Sequence, residues 1–276
     1  RKQKKMAQAE ESNFLQKIQN FLEFEGCSSP QFITKHGFGR IAVGAFGLGL
    51  FLGIHLILLI TSMLIDFPFN NNTLIQWSLY MIFLMCFHFG EFLVTCVYKP
   101  TQVSYDSFVI NHSTGYTAAA LMSWFEFWIE TLLLPSGFKF CLPIFILGLC
   151  LVIIGQYYRC AAMWTAKSNF NHIIMERKEE SHQLVTHGVY SHFRHPSYFG
   201  WYWWCVGTQV LLGNPICTMA YAYVAMKFFK QRIPYEEALL CQFYKDEYPR
   251  YMKATRIGIP FVSGFVNPLD KKNKSS

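Results

Sequence analysis

Long stretches free of acidic and basic residues alternate along this chain with short polar ones. Residues 41–65 run 25 positions without Asp, Glu, Lys or Arg. Residues 74–97 add 24, interrupted only by Glu91, and 114–134 carry only Glu126 and Glu130. Residues 140–158 form a fourth stretch, with Pro143 near its start, where proline is tolerated in a helix. Crossing a bilayer takes about 20 mostly apolar residues, so each stretch predicts one membrane helix. Residues 196–226 then run 31 positions without charge, too many for one straight span and few for two. The Gly213-Asn214-Pro215 break near the middle predicts two helices joined tightly. The expected fold class is all-α: a polytopic membrane protein with six spans, the last two a helical hairpin. A C-terminal amphipathic helix is expected over 235–252, opened by Pro234, from the helical spacing of Leu239, Leu240, Phe243, Tyr244, Tyr248 and Tyr251.

Composition supports this class. Hydrophobic residues make up 52% and aromatics 18%, with only 15% charged, which excludes disorder. Nine cysteines, an odd number without a CxxC pair, predict reduced thiols packed as small hydrophobes. The polar start and the long first apolar run predict no cleavable signal peptide.

Basic residues set the expected orientation. Seven lie in 1–40, five in 159–195 and ten in 227–276, against none in 66–73 and one in 135–139. Both termini and the 159–195 segment are therefore expected in the cytosol. The formal charge of +7 suits an anionic leaflet, and no basic cluster accompanies a nucleic-acid motif. The end, Lys272-Asn273-Lys274-Ser275-Ser276, reads equally as a retrieval signal for the endoplasmic reticulum and as a solvated tail. The expected organisation is a cytosolic segment (1–40), four membrane helices (41–158), a cytosolic loop (159–195), a membrane hairpin (196–230) and a C-terminal helix with tail (231–276).

Chemistry concentrates late in the chain. Five of nine histidines, His172, His182, His187, His192 and His195, fall within 24 residues. Their spacing matches no zinc pattern. Pro196 suits the first turn of a helix, which sets Arg194 and His195 at its N-terminus, where free N–H groups favour anions. An arginine snorkelling beside an interfacial belt (Tyr198, Trp201, Tyr202, Trp203, Trp204) fits the same residues. Further on, Arg232 and the pair Glu236-Glu237 read either as a helix start complementing its dipole or as a carboxylate-binding arginine with a cation-binding glutamate. Glu91, Glu126 and Glu130 read as a polar path or as helix ties to His88, Tyr or Gln side chains.

The sequences Leu184-Val185-Thr186-x-Gly188-x-Tyr190, Arg194-His195-Pro196-x-Tyr198-x-Gly200, Asn214-Pro215 and Arg232-x3-Glu236-Glu237 together resemble the isoprenylcysteine carboxyl methyltransferase family. Phe87-His88-Phe89-x-Glu91, Ser107-Phe108-x3-His112, Gly155-Gln156-Tyr157 and Phe170-x-His172 extend the resemblance over roughly 80–265. Lys167 departs from it, because Thr-Ala is commonly followed there by Gly. The resemblance implies an endoplasmic-reticulum membrane enzyme that methylates the C-terminal carboxylate of S-prenylcysteine in processed CaaX proteins, using S-adenosylmethionine. It assigns His182, Leu184, Val185, Gly188, Tyr190, His195, Ser197 and Tyr198 to the cofactor, and Arg232 and Glu236 to the substrate carboxylate and reaction centre. Two other readings accompany it: an NADPH-dependent reductase of the sterol-reductase kind, and a non-catalytic scaffold or transporter. Trp201 stands where the reductases typically carry an acidic residue.

Overall fold

The computed structural model describes residues 30–64, 71–110, 113–135, 138–178 and 182–265. Most of the expected N-terminal segment, His112 and the Lys272–Ser276 tail lie outside them.

Seven helices carry the architecture: α1 (Phe38–Leu64), α2 (Asn71–Tyr98), α3 (Thr114–Leu133), α4 (Leu142–Ala166), α5 (Pro196–Leu212), α6 (Pro215–Tyr244) and α7 (Glu247–Ala254). Three helical stretches are long and apolar enough to cross a membrane: Phe38–Leu64, Asn72–Tyr98 and Leu142–Asn169. They expose apolar side chains such as Phe46, Ile57 and Ile146, as a lipid-facing surface requires.

Backbone contact between α4 and α5 organises the bundle. A Cβ added at Gly148 would lie 2.3 Å from Leu211 N, and at Gly155 2.4 Å from Trp204 N. On the other helix, a Cβ at Gly200 would lie 2.4 Å from Arg159 N. Small residues let helices approach this closely where lipid offers no hydrophobic drive. Around this pair, Phe87 of α2 stacks on Trp204 at 4.3 Å, and Phe92 stacks on Phe108 at 4.0 Å.

A two-residue turn joins α5 to α6. Gly213 takes the left-handed conformation that ends α5 (φ 64°), and Pro215 opens α6. Asn214 is fully buried and donates through Nδ2 to Ser123 O (2.9 Å) and Gln209 Oε1 (3.1 Å). Glu126 accepts from the N–H groups of Ile216 and Cys217, both at 2.7 Å, so a carboxylate from α3 caps α6. Lys139 bridges Glu130 and Asn214. None of the three apolar-stretch carboxylates has the partners expected of it. Glu126 and Glu130 serve this turn, and Glu91 pairs with Arg159 and His172.

Two boundaries differ from expectation. Helix α4 continues past Tyr158 to Ala166, so Arg159 is helical and faces the bundle. Pro234 opens no new helix but lies inside α6, where its missing N–H removes one bond from an otherwise continuous ladder. The expected 235–252 helix is instead divided at Lys245, whose φ of 43° breaks it. Lys167, at the end of α4, holds φ 54° and ψ −127°, a conformation that suits glycine. The eight cysteines among the described residues are unpaired, but only Cys205 and Cys217 are buried.

Candidate active site

The site is built where the segment after α4 returns to open α5. Gly188, at φ 59°, turns that segment into a short 3-10 stretch (Gly188–Ser191) and packs against the Thr165 side chain. His195 precedes α5 without a side-chain cap, and Pro196 occupies the first turn. That helix start therefore lacks the usual side-chain acceptor for its orphan N–H groups. The C-terminal segment clasps it from outside: Arg194 N donates to Arg256 O (2.9 Å), and Tyr251 Oη donates to Tyr190 O (2.6 Å).

A cavity opens between this segment, residues 169–175 and the C-terminal part of α6. His182, Leu184, Val185, Tyr190, His195, Ser197, Tyr198 and Glu236 all line it. Gly188 does not; its part is the turn. Arg232 stands behind Tyr198 instead of on the cavity wall. Its Nε donates to Tyr198 Oη (2.9 Å) and its Nη2 to His172 O (2.7 Å), leaving Nη1 as the remaining donor group. Tyr198 Oη in turn donates to Glu236 Oε2 (2.6 Å). Arg232 and Glu236, one turn apart on α6, are thus bridged by one phenol of α5.

The cavity wall divides chemically. Leu184, Val185, Leu239, Leu240 and Phe243 offer an apolar surface, while His182, Gln183, Asn169 and Glu236 offer polar groups. Such a wall offers an apolar face to a flat group and hydrogen-bonding side chains to a polar one. Among the described residues, no three His, Cys, Asp or Glu side chains converge to hold a metal.

Two buried carboxylates support this wall. Glu237, fully buried, accepts from Arg194 Nε (2.5 Å), His195 Nε2 (3.0 Å) and the N–H of Phe265 (2.6 Å). Burial pushes its pKa up, but hydrogen bonds and charges from His195 and Arg194 outweigh that and hold it below the ordinary carboxylate value. Arg194 therefore neither snorkels nor waits for an anion. Burial also drives the Tyr248 phenol far above its ordinary range, helped by Glu237 and Glu236, so it stays protonated. Glu91, 1% exposed, receives both forks of Arg159 (Nε 2.6 Å, Nη2 2.9 Å) and His172 Nε2 (2.7 Å). Arg159 Nη1 donates to Ser197 Oγ (2.6 Å). Sequence reasoning missed this cluster, although Glu91 and His172 both fall in the motifs quoted above.

The chain matches the model of the isoprenylcysteine carboxyl methyltransferase family over residues 146–242. It is 44% identical over 213 residues to the human protein-S-isoprenylcysteine O-methyltransferase, covering 74% of this chain and 75% of that one. The protein of the same name from Tribolium castaneum is 48% identical over 186 residues, 67% of this chain and 66% of that one. The Saccharomyces cerevisiae protein is 37% identical over 238 residues, 83% of this chain and 94% of its own length. Among solved structures, the eukaryotic intramembrane Ras methyltransferase ICMT superposes with a TM-score of 0.70 at 42% identity. That match covers 78% of this chain and 76% of that one.

Proposed function

The chain belongs to the isoprenylcysteine carboxyl methyltransferase family, and from that membership we propose that it methylates the C-terminal carboxylate of S-prenylcysteine in processed CaaX proteins. S-adenosylmethionine is the methyl donor, bound in the cavity between residues 182–198 and α6. When bound it supplies an electrophilic methyl group on a sulfonium. His182, Leu184, Val185, Tyr190, His195, Ser197 and Tyr198 hold it, with Gly188 setting the turn that aims them. An α-carboxyl has a pKa of about 3.3–3.7, so the acceptor is already ionised at neutral pH and needs no general base. The protein's task is alignment and removal of water from the carboxylate.

The observation that carries this reading is the Arg232–Tyr198–Glu236 bridge, because it holds a charged arginine directly behind the cavity wall at Tyr198. Arg232 holds the substrate carboxylate through its remaining donors and Glu236 shapes the charge around it. Glu237, buried and saturated with partners, is structural. The prenyl chain arrives from lipid along the apolar face of α6, where Val224 and Phe228 are exposed. Passing 15 carbons through water would cost on the order of 12 kcal/mol at about 0.8 kcal/mol per carbon. The surrounding reading is of six crossings in the endoplasmic-reticulum membrane, with α5 and the 215–230 part of α6 as the last two and the cavity facing the cytosol. In it, α1 to α4 supply the first four membrane helices, the segment after Ala166 the cofactor loop and 231–276 the catalytic end.

Arg232→Ala tests the site. Losing one side of a desolvated charge pair costs about 2–5 kcal/mol. Turnover of a farnesylcysteine analogue should therefore fall roughly 30- to several-thousand-fold, with S-adenosylhomocysteine binding nearly unchanged. Retention of more than about a tenth of turnover overturns the carboxylate role.

A further inference from the structure

Five of the hydrogen bonds described above, together with the Arg232–Tyr198 bond and the chain step from Ser197 to Tyr198, form a closed circuit. Arg232 Nη2 reaches His172 O (2.7 Å), and His172 Nε2 reaches Glu91 Oε2 (2.7 Å). Glu91 takes both forks of Arg159, whose Nη1 reaches Ser197 Oγ (2.6 Å). The next residue, Tyr198, returns to Arg232 Nε (2.9 Å). We infer that Glu91 and His172 are positioning residues for methyl transfer: through this circuit they hold Arg232 in register with the cofactor segment.

A pair that merely tied α2 to α4 would need neither His172 nor Ser197. It would also be a poor tie. Burying each ion costs several kcal/mol, and well-packed apolar residues of similar volume often match or exceed such a pair in stability. What apolar residues cannot supply is direction. Ionised Glu91 accepts only, so His172 carries its proton on Nε2 there, which fixes its ring and hence the backbone whose carbonyl receives Arg232. Arg159, 7% exposed, gives all three of its guanidinium nitrogens to Glu91 and Ser197. No link is free to shift alone. Residues 170–173 carry no regular helix, so His172 is held by its side-chain contacts, the Glu91 bond and the edge of the Phe170 ring.

The inference rests on the role of Arg232 proposed above, and its test separates the two. Initial rates with a farnesylcysteine analogue and S-adenosylhomocysteine binding are measured on the full chain in detergent for His172→Ala, His172→Gln, Glu91→Gln and Arg232→Ala. Misplacing reacting groups by about an ångström costs up to roughly a hundredfold. His172→Ala should therefore lower kcat about 10- to 100-fold, with product affinity within about threefold of wild type. His172→Gln, which returns an N–H donor, should recover most of the loss. Glu91→Gln should lower kcat and also weaken product binding, because Arg159 then loses the counter-charge that aims it at Ser197. If Glu91→Gln does not fold, the two His172 variants carry the test alone. Unchanged kcat in His172→Ala, or no recovery with Gln, overturns the inference while leaving Arg232 in place. Retention of more than about a tenth of turnover in Arg232→Ala instead overturns the reading of the site itself.

Discussion

Glu91 and Glu237 are a matched pair of opposites. Each is buried, each holds one arginine and one histidine, and both meet the start of α5, one through Ser197 and the other through Arg194 and His195. Their remaining partners differ. Glu91 and Arg159 sit on α2 and α4, both regular helices. Glu237 spends its second oxygen on the N–H of Phe265, and Arg194 spends Nη1 on Thr255 O (2.7 Å). The outer cluster is thus a latch on residues 255–265, a segment without helix, while the inner one fixes register between elements already in place. The same three residue types serve retention in one case and alignment in the other.

The largest effect that would sharpen this contrast is Glu237→Ala. It leaves Arg194 buried without its counter-charge, and breaking such a pair costs about 3–5 kcal/mol. Unfolding in a denaturing detergent series should show the loss, and hydrogen exchange should rise first in 255–265. If exchange rises equally in α2 and α4, the latch reading fails.

Ser197→Ala acts on the inner cluster alone. It removes a hydrogen bond to a charged donor, about 1.5–3 kcal/mol, and the same unfolding series should report it without early exchange in 255–265. Lys167→Gly acts at the turn that leads from α4 toward His172. A non-glycine residue in that conformation stores about 1–3 kcal/mol, and glycine's extra chain entropy returns part of it. Net stabilisation of about 1 kcal/mol is expected, and a destabilised variant would show that Lys167 holds its place for another reason.

The smallest effect is that of pH on the latch. Glu237 is held below its ordinary carboxylate value of 4.5 in the folded protein. Its stabilisation is therefore complete above that value and is lost as pH falls through the lower, folded one. Protection in 255–265, taken relative to the intrinsic exchange rate at each pH, should fall in acid, and Glu237→Gln should remove that pH dependence. A wild-type profile parallel to that of the glutamine variant would show that the carboxylate's charge is not what closes the latch.

Much of this architecture was legible in the residues. Charge-free runs mark α1 to α4, because lipid and core alike exclude unpaired charge. Gly213-Asn214-Pro215 marks the α5–α6 turn, because one glycine supplies the left-handed cap and one proline the helix start. The unusual Lys167 was legible too, as the residue standing where glycine is common. Partnership was not. Glu91 meets Arg159 68 residues away, and no periodicity in either segment reports which helices become neighbours. Counting Arg159 with a loop hid it further, since one basic residue seemed to end an apolar run that the helix in fact continues. Glu236 and Glu237 look interchangeable in sequence. Only the rotation of α6 sends one to the cavity and the other to Arg194.

The glycine contact between α4 and α5 has a mechanical consequence. With no side-chain volume between them at Gly148, Gly155 and Gly200, neither helix can roll or tilt toward the other without driving backbone into backbone. They behave as one rigid post, and the stretches 167–178 and 182–195 form a handle, one leaving the end of α4 and the other entering the start of α5. Widening the cavity to admit or release a molecule cannot be done by spreading that post. The strain of opening falls instead on the handle itself and on the jaw formed by the end of α6 with α7. A cross-link between α4 and α5 should therefore leave ligand exchange undisturbed, while one from the handle to α6 should halt it.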